Sequence, residues 1–321
     1  MVGKSNLDII NECDNFPYQS DNPEAYDAAF KSYYHFKLEG CHVTLGYVPA
    51  DVAAKLPSSK HWSLDQINRI LTFQPRNEEG QPVEALEGRN LILAQYLQGV
   101  REQKVFRVLD GWRSELYPIY GPSKELILSM ERSATPLFGV VTYGVHMTGY
   151  VQTGEGMKIW APRRALTKPT YPGMMDNTVA GGLSTGEDPF ECLVRECEEE
   201  ASLPPDVVQP AKSCGTLTYF HIRDSRAGGE IGLCQPEIQY IYDLELPSNV
   251  IPKPGDDEAI DFQLLTIKEV QDAIAQGKFK PNCAHVLVDF FVRHGILTPE
   301  NEPDYIEIVS RSHRKLEFPT P

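Results

Sequence analysis

The sequence predicts an α/β protein: a sandwich of helices around a mixed sheet in its second half, preceded by a smaller α+β domain. Three observations predict it. The run LFGVVTYGVHMTGYV is rich in β-branched and aromatic residues and meets MKIWAPR across a TGEG hairpin turn. A strong helix follows at Pro189–Ala201. Beyond it, GTLTYF, IQYIYDLEL and AIDFQLL read as strands and lead into two more helical runs. Helices gathered around such strands fit a layered sandwich.

We read residues 1–135 as the first domain, 136–300 as the second and 301–321 as a C-terminal tail. In the first domain, Ser63 opens a helix-like run with Gln66 as its capping-box partner and Ile67, Ile70 and Leu71 at helical spacing. KVFRVLDGWRSELYPIYG carries strand-like residues, and PSKELILSMERSA reads as a helix that stops before Pro136. In the second domain, ALTKPTYPGMMDNTVAGG is irregular. The next helix is well bounded: Asp188 is its N-cap, Pro189 its first residue, Glu191 its box partner, and Pro204 and Pro205 end it. Thr266 caps another helix with Glu269, and Gly277 stops it. Asn282 to His294 reads as a last, buried helix closed by Gly295, and SRSHRKLEFPTP as a frayed tail.

Composition narrows the function classes. The chain has 321 residues, 41% of them hydrophobic, with 45 acidic against 30 basic residues and a formal charge of -15. Such a surface repels nucleic acid and anionic membrane, so neither is an expected partner. The seven scattered cysteines form no CxxC pair, which argues against a zinc site or disulfide framework. The N-terminus lacks the apolar core of a signal peptide, and a reducing cytosol is the expected compartment.

The most informative stretch is AGGLSTGEDPFECLVRECEEEASL. At about 100° per residue, Glu199 and Glu200 fall within about 60° and 40° of Glu196 on either side. The three carboxylates share one stripe at the border of the apolar face. Like charges at this spacing repel, and a hard divalent cation with oxygen ligands would offset that. Gly181, Gly182 and Gly186 allow close backbone approach, so a carbonyl of Ala180 or Gly181 can join the ligand set. Arg195 is placed to brace Glu187 or Glu199.

The arrangement Gly181, Glu187, Arg195, Glu196, Cys197, Glu199, Glu200, Ser202 and Leu203 strongly resembles the Nudix box. Ser202 departs from it, standing where the family usually has Gly, an exchange expected to be harmless. The resemblance implies a Nudix α/β/α sandwich and a metal-dependent diphosphate hydrolase. It implies Mg²⁺, with Mn²⁺ possible, held by Glu196, Glu199, Glu200 and the Gly181 carbonyl. It also implies one more carboxylate from outside the box, Glu258 being favoured among Asp256, Asp257, Glu258 and Asp261.

WRSELY, KPTYPGMMDNTVAGG, IYDLELP and FKPNCAHVLVDFFVRHGILT are similar to a eukaryotic subfamily related to the Nudix half of fungal thiamine pyrophosphokinases, in its stand-alone form. That likeness implies hydrolysis of thiamine diphosphate analogues such as oxothiamine diphosphate to the monophosphate and phosphate, clearing a damaged cofactor. Arg163, Arg164 and Lys168 are candidate contacts to the diphosphate, Tyr171 a candidate stacking surface, and Asp176 a further contact in the same loop. Trp112, Arg113 and Glu115 are candidates for a pocket wall from the first domain. The competing readings are a hydrolase of nucleoside diphosphate derivatives, an enzyme like isopentenyl diphosphate isomerase, and a catalytically silent diphosphate-binding module. The isomerase places a Cys just after a similar Lys-x-x-x-Pro-Gly loop, and DNTVAGG has none.

Overall fold

The computed structural model describes residues 3–321. Its central feature is a six-stranded mixed sheet. The strands run in the order Lys212–Ile222, Cys234–Glu245, Thr142–Thr153, Gly156–Arg164 and Ala259–Thr266. A short sixth strand, Val179–Gly182, pairs antiparallel with Thr142–Thr153 from Gly144↔Gly182 to Met147↔Val179. The long central strand therefore changes neighbours on that side, to Gly156–Arg164 from Tyr150 onward. Cys234–Glu245 is its parallel partner, and the other pairings are antiparallel. Pro189–Ala201 packs on one face through Cys192, Leu193, Cys197 and Ala201. Ile267–Ala275 and Pro281–Arg293 cover the other, where Phe290 and Phe291 anchor the core.

The first domain holds a four-stranded sheet, Gly46–Pro49, Tyr33–Leu38, Ile70–Phe73 and Trp62–Asp65, and a hairpin of Leu116–Tyr120 with Leu126–Glu131. The helix Leu86–Glu102 packs against that hairpin's second strand. Two expected helices are therefore strands. In the run from Ser63 to Leu71, Asp65 Oδ1 accepts from the N–H groups of Ile67 and Asn68, and Arg69 takes a φ of 51°. This side-chain turn outcompetes the helix. The alternation that buries Leu71 and Phe73 is that of a strand. In PSKELILSMERSA, Lys124 at φ 69° turns the chain so that Leu126–Glu131 pairs with Leu116–Tyr120. Pairing across the hairpin overrides helix propensity.

The expected frayed tail is packed instead. It holds a helix, Tyr305–Arg311, and then Arg314, whose Nη1 lies 3.1 Å from the fully buried Asp14 carboxylate and donates to the Phe16 carbonyl at 2.7 Å. The same guanidinium sits 4.0 Å from the Tyr18 ring centroid. Glu317 accepts from the hydroxyls of Tyr26 and Tyr47. Partners for this segment lie about three hundred residues away in sequence, out of reach of local patterns. At the other end, Ile9 and Ile10 join the core of Phe290 and Phe291, so packing ignores chain order at both termini. Tyr47→Phe, which removes one of the two hydroxyls on Glu317, is expected to cost about 1 kcal/mol. Urea unfolding monitored by circular dichroism measures this; an unchanged midpoint would mean the tail is not docked through Glu317.

Candidate active site

The Asp188 carboxylate accepts from the Phe190 N–H at 2.9 Å and starts the acidic helix. Ser202 ends it at φ 52°, a left-handed position that explains why a glycine is usual there. A non-glycine residue in this region costs on the order of 1 kcal/mol. Between these ends the helix presents Glu196 and Glu200 to the short strand Val179–Gly182. A Cβ on Gly181 would lie 2.0 Å from the Glu196 carboxyl carbon, so only glycine lets that side chain lie on the strand. One turn on, Glu200 Oε2 accepts from the Ala180 N–H at 3.1 Å.

Arg195 braces the stripe. Its Nε and Nη2 fork onto Glu187 at 2.7 and 3.1 Å, and its Nη1 reaches Glu196 at 2.8 Å and Glu199 at 3.1 Å. Burial pushes the Glu187 carboxyl up, but Arg195 holds it below its ordinary value. Glu196 is 8% exposed. Burial raises its pKa, although Arg195 opposes the shift. Glu200 is raised further, by burial and then by the nearby Glu196 charge.

Glu199 is engaged by Arg195 as expected, and Glu258 by cations from other loops. Glu199 is exposed and bound to Arg195. Glu258 is held near the end of the acidic helix by a loop tied through Lys253 N–Ala201 O at 3.0 Å and Gly255 N–Glu200 O at 3.2 Å. Its carboxylate is paired with Lys168 at 2.5 Å and with Arg113 of the first domain at 3.4 Å. Among the described residues, no three acidic, His or Cys side chains stand together as a ready metal site. Arg195, Lys168 and Arg113 each neutralise one or more of these carboxylates. The donor set fits a hard divalent cation: the buried Glu196 and the half-buried Glu200, both with raised pKa values, sit one helical turn apart against strand backbone.

The remaining candidates are spread out. Arg164 pairs with the buried Asp176 at 2.5 Å and with the Thr170 carbonyl at 3.0 Å, and Asp176 also accepts from the Cys283 thiol. This pair braces the Pro/Gly loop, and neither residue lines the main cleft. Arg163 is exposed and faces Asp261 at 3.0 Å. Tyr171, at φ 48°, does line the cleft, with the Arg226 guanidinium 5.8 Å from its ring centroid.

That cleft, of about 480 Å³, lies between the two domains and has Ala180, Gly181 and Gly182 in its floor. The first domain contributes Arg107, Arg113, Tyr117 and Arg132. Its hairpin docks on the loop before the acidic helix through Thr185 N–Leu116 O at 2.8 Å and Ser184 Oγ–Glu115 Oε1 at 3.1 Å. The Tyr117 hydroxyl rests on Gly182, where a Cβ would be 1.6 Å away. Trp112 is half-buried, packed against the first domain's core beneath Arg101, and does not line the cleft. The opposite wall was not foreseen. It consists of Tyr219, His221, Arg223, Gln235, Glu237 and Gln239. The available signal was polar residues recurring every second position in two otherwise apolar strands.

A helix carrying Arg-Glu and Glu-Glu beside a glycine strand, on a mixed sheet between helices, defines a Nudix-type hydrolase, and residues 143–284 match the NUDIX domain family. The chain belongs to the Nudix hydrolase superfamily. Residues 25–142 match a domain of unknown function, DUF4743. The chain is 34% identical to the uncharacterized protein YJR142W of Saccharomyces cerevisiae, over 100% of this chain and 94% of that protein. It is 39% identical to Nudix hydrolase 20, chloroplastic, of Arabidopsis thaliana, over 64% of this chain and 53% of the plant protein, so it spans about half of that relative. It is 31% identical to the isopentenyl-diphosphate Delta-isomerase of Streptomyces griseus over 39% of this chain and 58% of that enzyme.

Proposed function

We propose that the chain hydrolyses the phosphoanhydride of thiamine diphosphate analogues such as oxothiamine diphosphate, releasing the monophosphate and phosphate. The observation that carries the hydrolytic part is the pair Glu196 and Glu200, set against Ala180 and Gly181, the two residues whose backbone lies in the floor of a cleft lined by Arg113 and Arg132. The substrate class rests on the likeness of WRSELY, KPTYPGMMDNTVAGG and IYDLELP to the thiamine-related subfamily.

Glu196, Glu199 and Glu200, with the Gly181 carbonyl and Glu258, are the residues that would hold Mg²⁺ or Mn²⁺. Bound there, the cation would neutralise phosphate oxygens and position a water. Arg195 keeps the carboxylates in register. Arg113 and Arg132, which line the cleft, supply positive charge to the diphosphate, joined by Lys168 beside Glu258 and by Arg163 beside Asp261. Tyr171 offers its ring to the organic group, and the Arg164–Asp176 pair holds the loop that carries it. The water oxygen bonds to phosphorus, the bridging P–O bond breaks, and the monophosphate leaves. Glu196 accepts the water's proton, a role suited to a carboxyl that burial has biased toward protonation.

A nucleoside diphosphate derivative is the second reading, favoured by the polar cleft wall, which suits a heterocycle. The isomerase reading is weaker, because the chain keeps the full set of box carboxylates. The net charge of -15 argues against nucleic acid or anionic membrane as partner. Among the described residues no helix is long and apolar enough to cross a membrane. We place the protein in the cytosol, as its free cysteines allow.

The test is phosphate release with Mg²⁺ or Mn²⁺ from oxothiamine diphosphate, thiamine diphosphate, nucleoside diphosphate derivatives and isopentenyl diphosphate, with isomerisation of the last followed in parallel. Turnover is expected to be highest on a thiamine analogue and lost in EDTA. Preference for a nucleoside derivative would overturn the substrate class, and turnover of no diphosphate would leave a binding module.

A further inference from the structure

The unforeseen cleft wall is built from one face of two adjacent strands. Tyr219 pairs with Glu237 and His221 with Gln235, so these side chains and their second neighbours Arg223 and Gln239 point the same way. His221, Arg223, Glu237 and Gln239 are all at least nine-tenths buried. Glu237 accepts from the Tyr219 hydroxyl and from the amides of Gln235 and Gln239, which fixes Gln239 with its Oε1 unpaired. Arg223 donates to the Ala227 and Gly228 carbonyls, the latter at 3.0 Å, and to Gln235 at 3.4 Å, leaving its Nε–H without a partner. His221 Nδ1 lies 3.2 Å from the Glu12 carbonyl and so carries the proton, which makes the unpaired Nε2 an acceptor.

Buried polar atoms without partners are uncommon and disfavoured. Here two acceptors and one donor, each shielded from solvent, belong to side chains lining one wall of a cleft whose floor includes Ala180 and Gly181, the backbone on which Glu200 and Glu196 rest. Their complement is a group with N–H donors beside an acceptor nitrogen. We propose that this wall is the subsite that reads the organic half of the substrate, and that this half is an amino-substituted nitrogen heterocycle. An isoprenoid chain would leave all three atoms unpaired. The inference rests on the hydrolase reading for the location of the diphosphate, and its own content is ring recognition.

Calorimetry with the full chain and phosphate-free probes tests it: 4-amino-5-hydroxymethyl-2-methylpyrimidine, cytidine and 3-methyl-3-buten-1-ol. At least one amino heterocycle is expected to bind and the alcohol not to. Gln239→Leu and, independently, His221→Phe should each weaken ring binding by about tenfold, the value of one hydrogen bond, with folding checked by circular dichroism. No ring binding to the folded wild type, or equal binding by both folded variants, would overturn the subsite. Phosphate-release assays on the same samples keep the two readings apart: ring binding without turnover of any diphosphate leaves the subsite standing and removes the hydrolase.

Discussion

Glu200→Gln is expected to lower turnover of the diphosphate substrate by at least about two orders of magnitude, the usual loss when a charge that acts in the transition state is removed. The amide keeps the shape and can still accept from the Ala180 N–H, so the fold should not suffer. It should gain. Burial and then the Glu196 charge raise the Glu200 pKa well above its ordinary 4.5. The folded chain therefore binds this proton more tightly than the unfolded chain. Stability from this group is fully present below the unfolded value and falls as pH rises through the folded one. At neutral pH in EDTA, Glu200→Gln should melt higher than wild type, by about 2–4 °C for each kcal/mol recovered. Adding Mg²⁺ should raise the wild-type melting temperature by mass action and shift the variant less. Because the ligands must lose protons, metal affinity should also climb with pH. Wild-type turnover by the variant would remove Glu200 from the ligand set.

This opposition between stability and activity bears on what the sequence could reveal. The end of the acidic helix is set by Ser202 in the left-handed region, two residues before the expected Pro204–Pro205 stop, and Glu191 closes no capping box. Its start was legible because the signals there are local, Asp188 and Pro189. The capping box of Thr266 with Glu269 was legible for the same reason, as was the stop at Gly277, which adopts φ 68°. The spacing of Glu196 and Glu200 placed both on one stripe, and the fold sets that stripe on glycine backbone. Arg195 was placed beside Glu187 and Glu199 by local spacing, but the cations that meet Glu258 and Asp176 were not legible. Lys168 and Arg113 reach Glu258 from other loops, and Arg164 and Asp176 meet only after the Pro/Gly loop closes. The strands at Trp62–Asp65 and Leu126–Glu131 carried helix-like patterns, and only pairing with their neighbours decides them. The cleft wall was missed because its polar residues belong to two strands whose register brings them together.

Gly181→Ala gives the second large effect, and it separates the position of Glu196 from its chemistry. The added methyl would fall 2.0 Å from the Glu196 carboxyl carbon, 2.1 Å from Oε1 and 2.3 Å from Cγ. No backbone atom is among these neighbours, and the strand geometry at Gly181 is one alanine adopts readily. The long Glu196 side chain must therefore yield, swinging off the strand and away from Glu200. A displacement of about 1 Å in a catalytic group costs roughly a hundredfold in rate, and kcat should fall by that much. Thermal stability should change little, because alanine restricts the unfolded chain and offsets part of the local disturbance. Gly154→Ala, in open space at the hairpin turn, is the control and should match wild type in both measurements. Gly144→Ala should instead damage the fold, since its methyl would meet the Gly181 carbonyl oxygen at 2.8 Å, backbone that cannot rotate away. If folded Gly181→Ala kept the wild-type kcat, the contact between Glu196 and this strand would have no part in the reaction, and the proton would have to pass to another group.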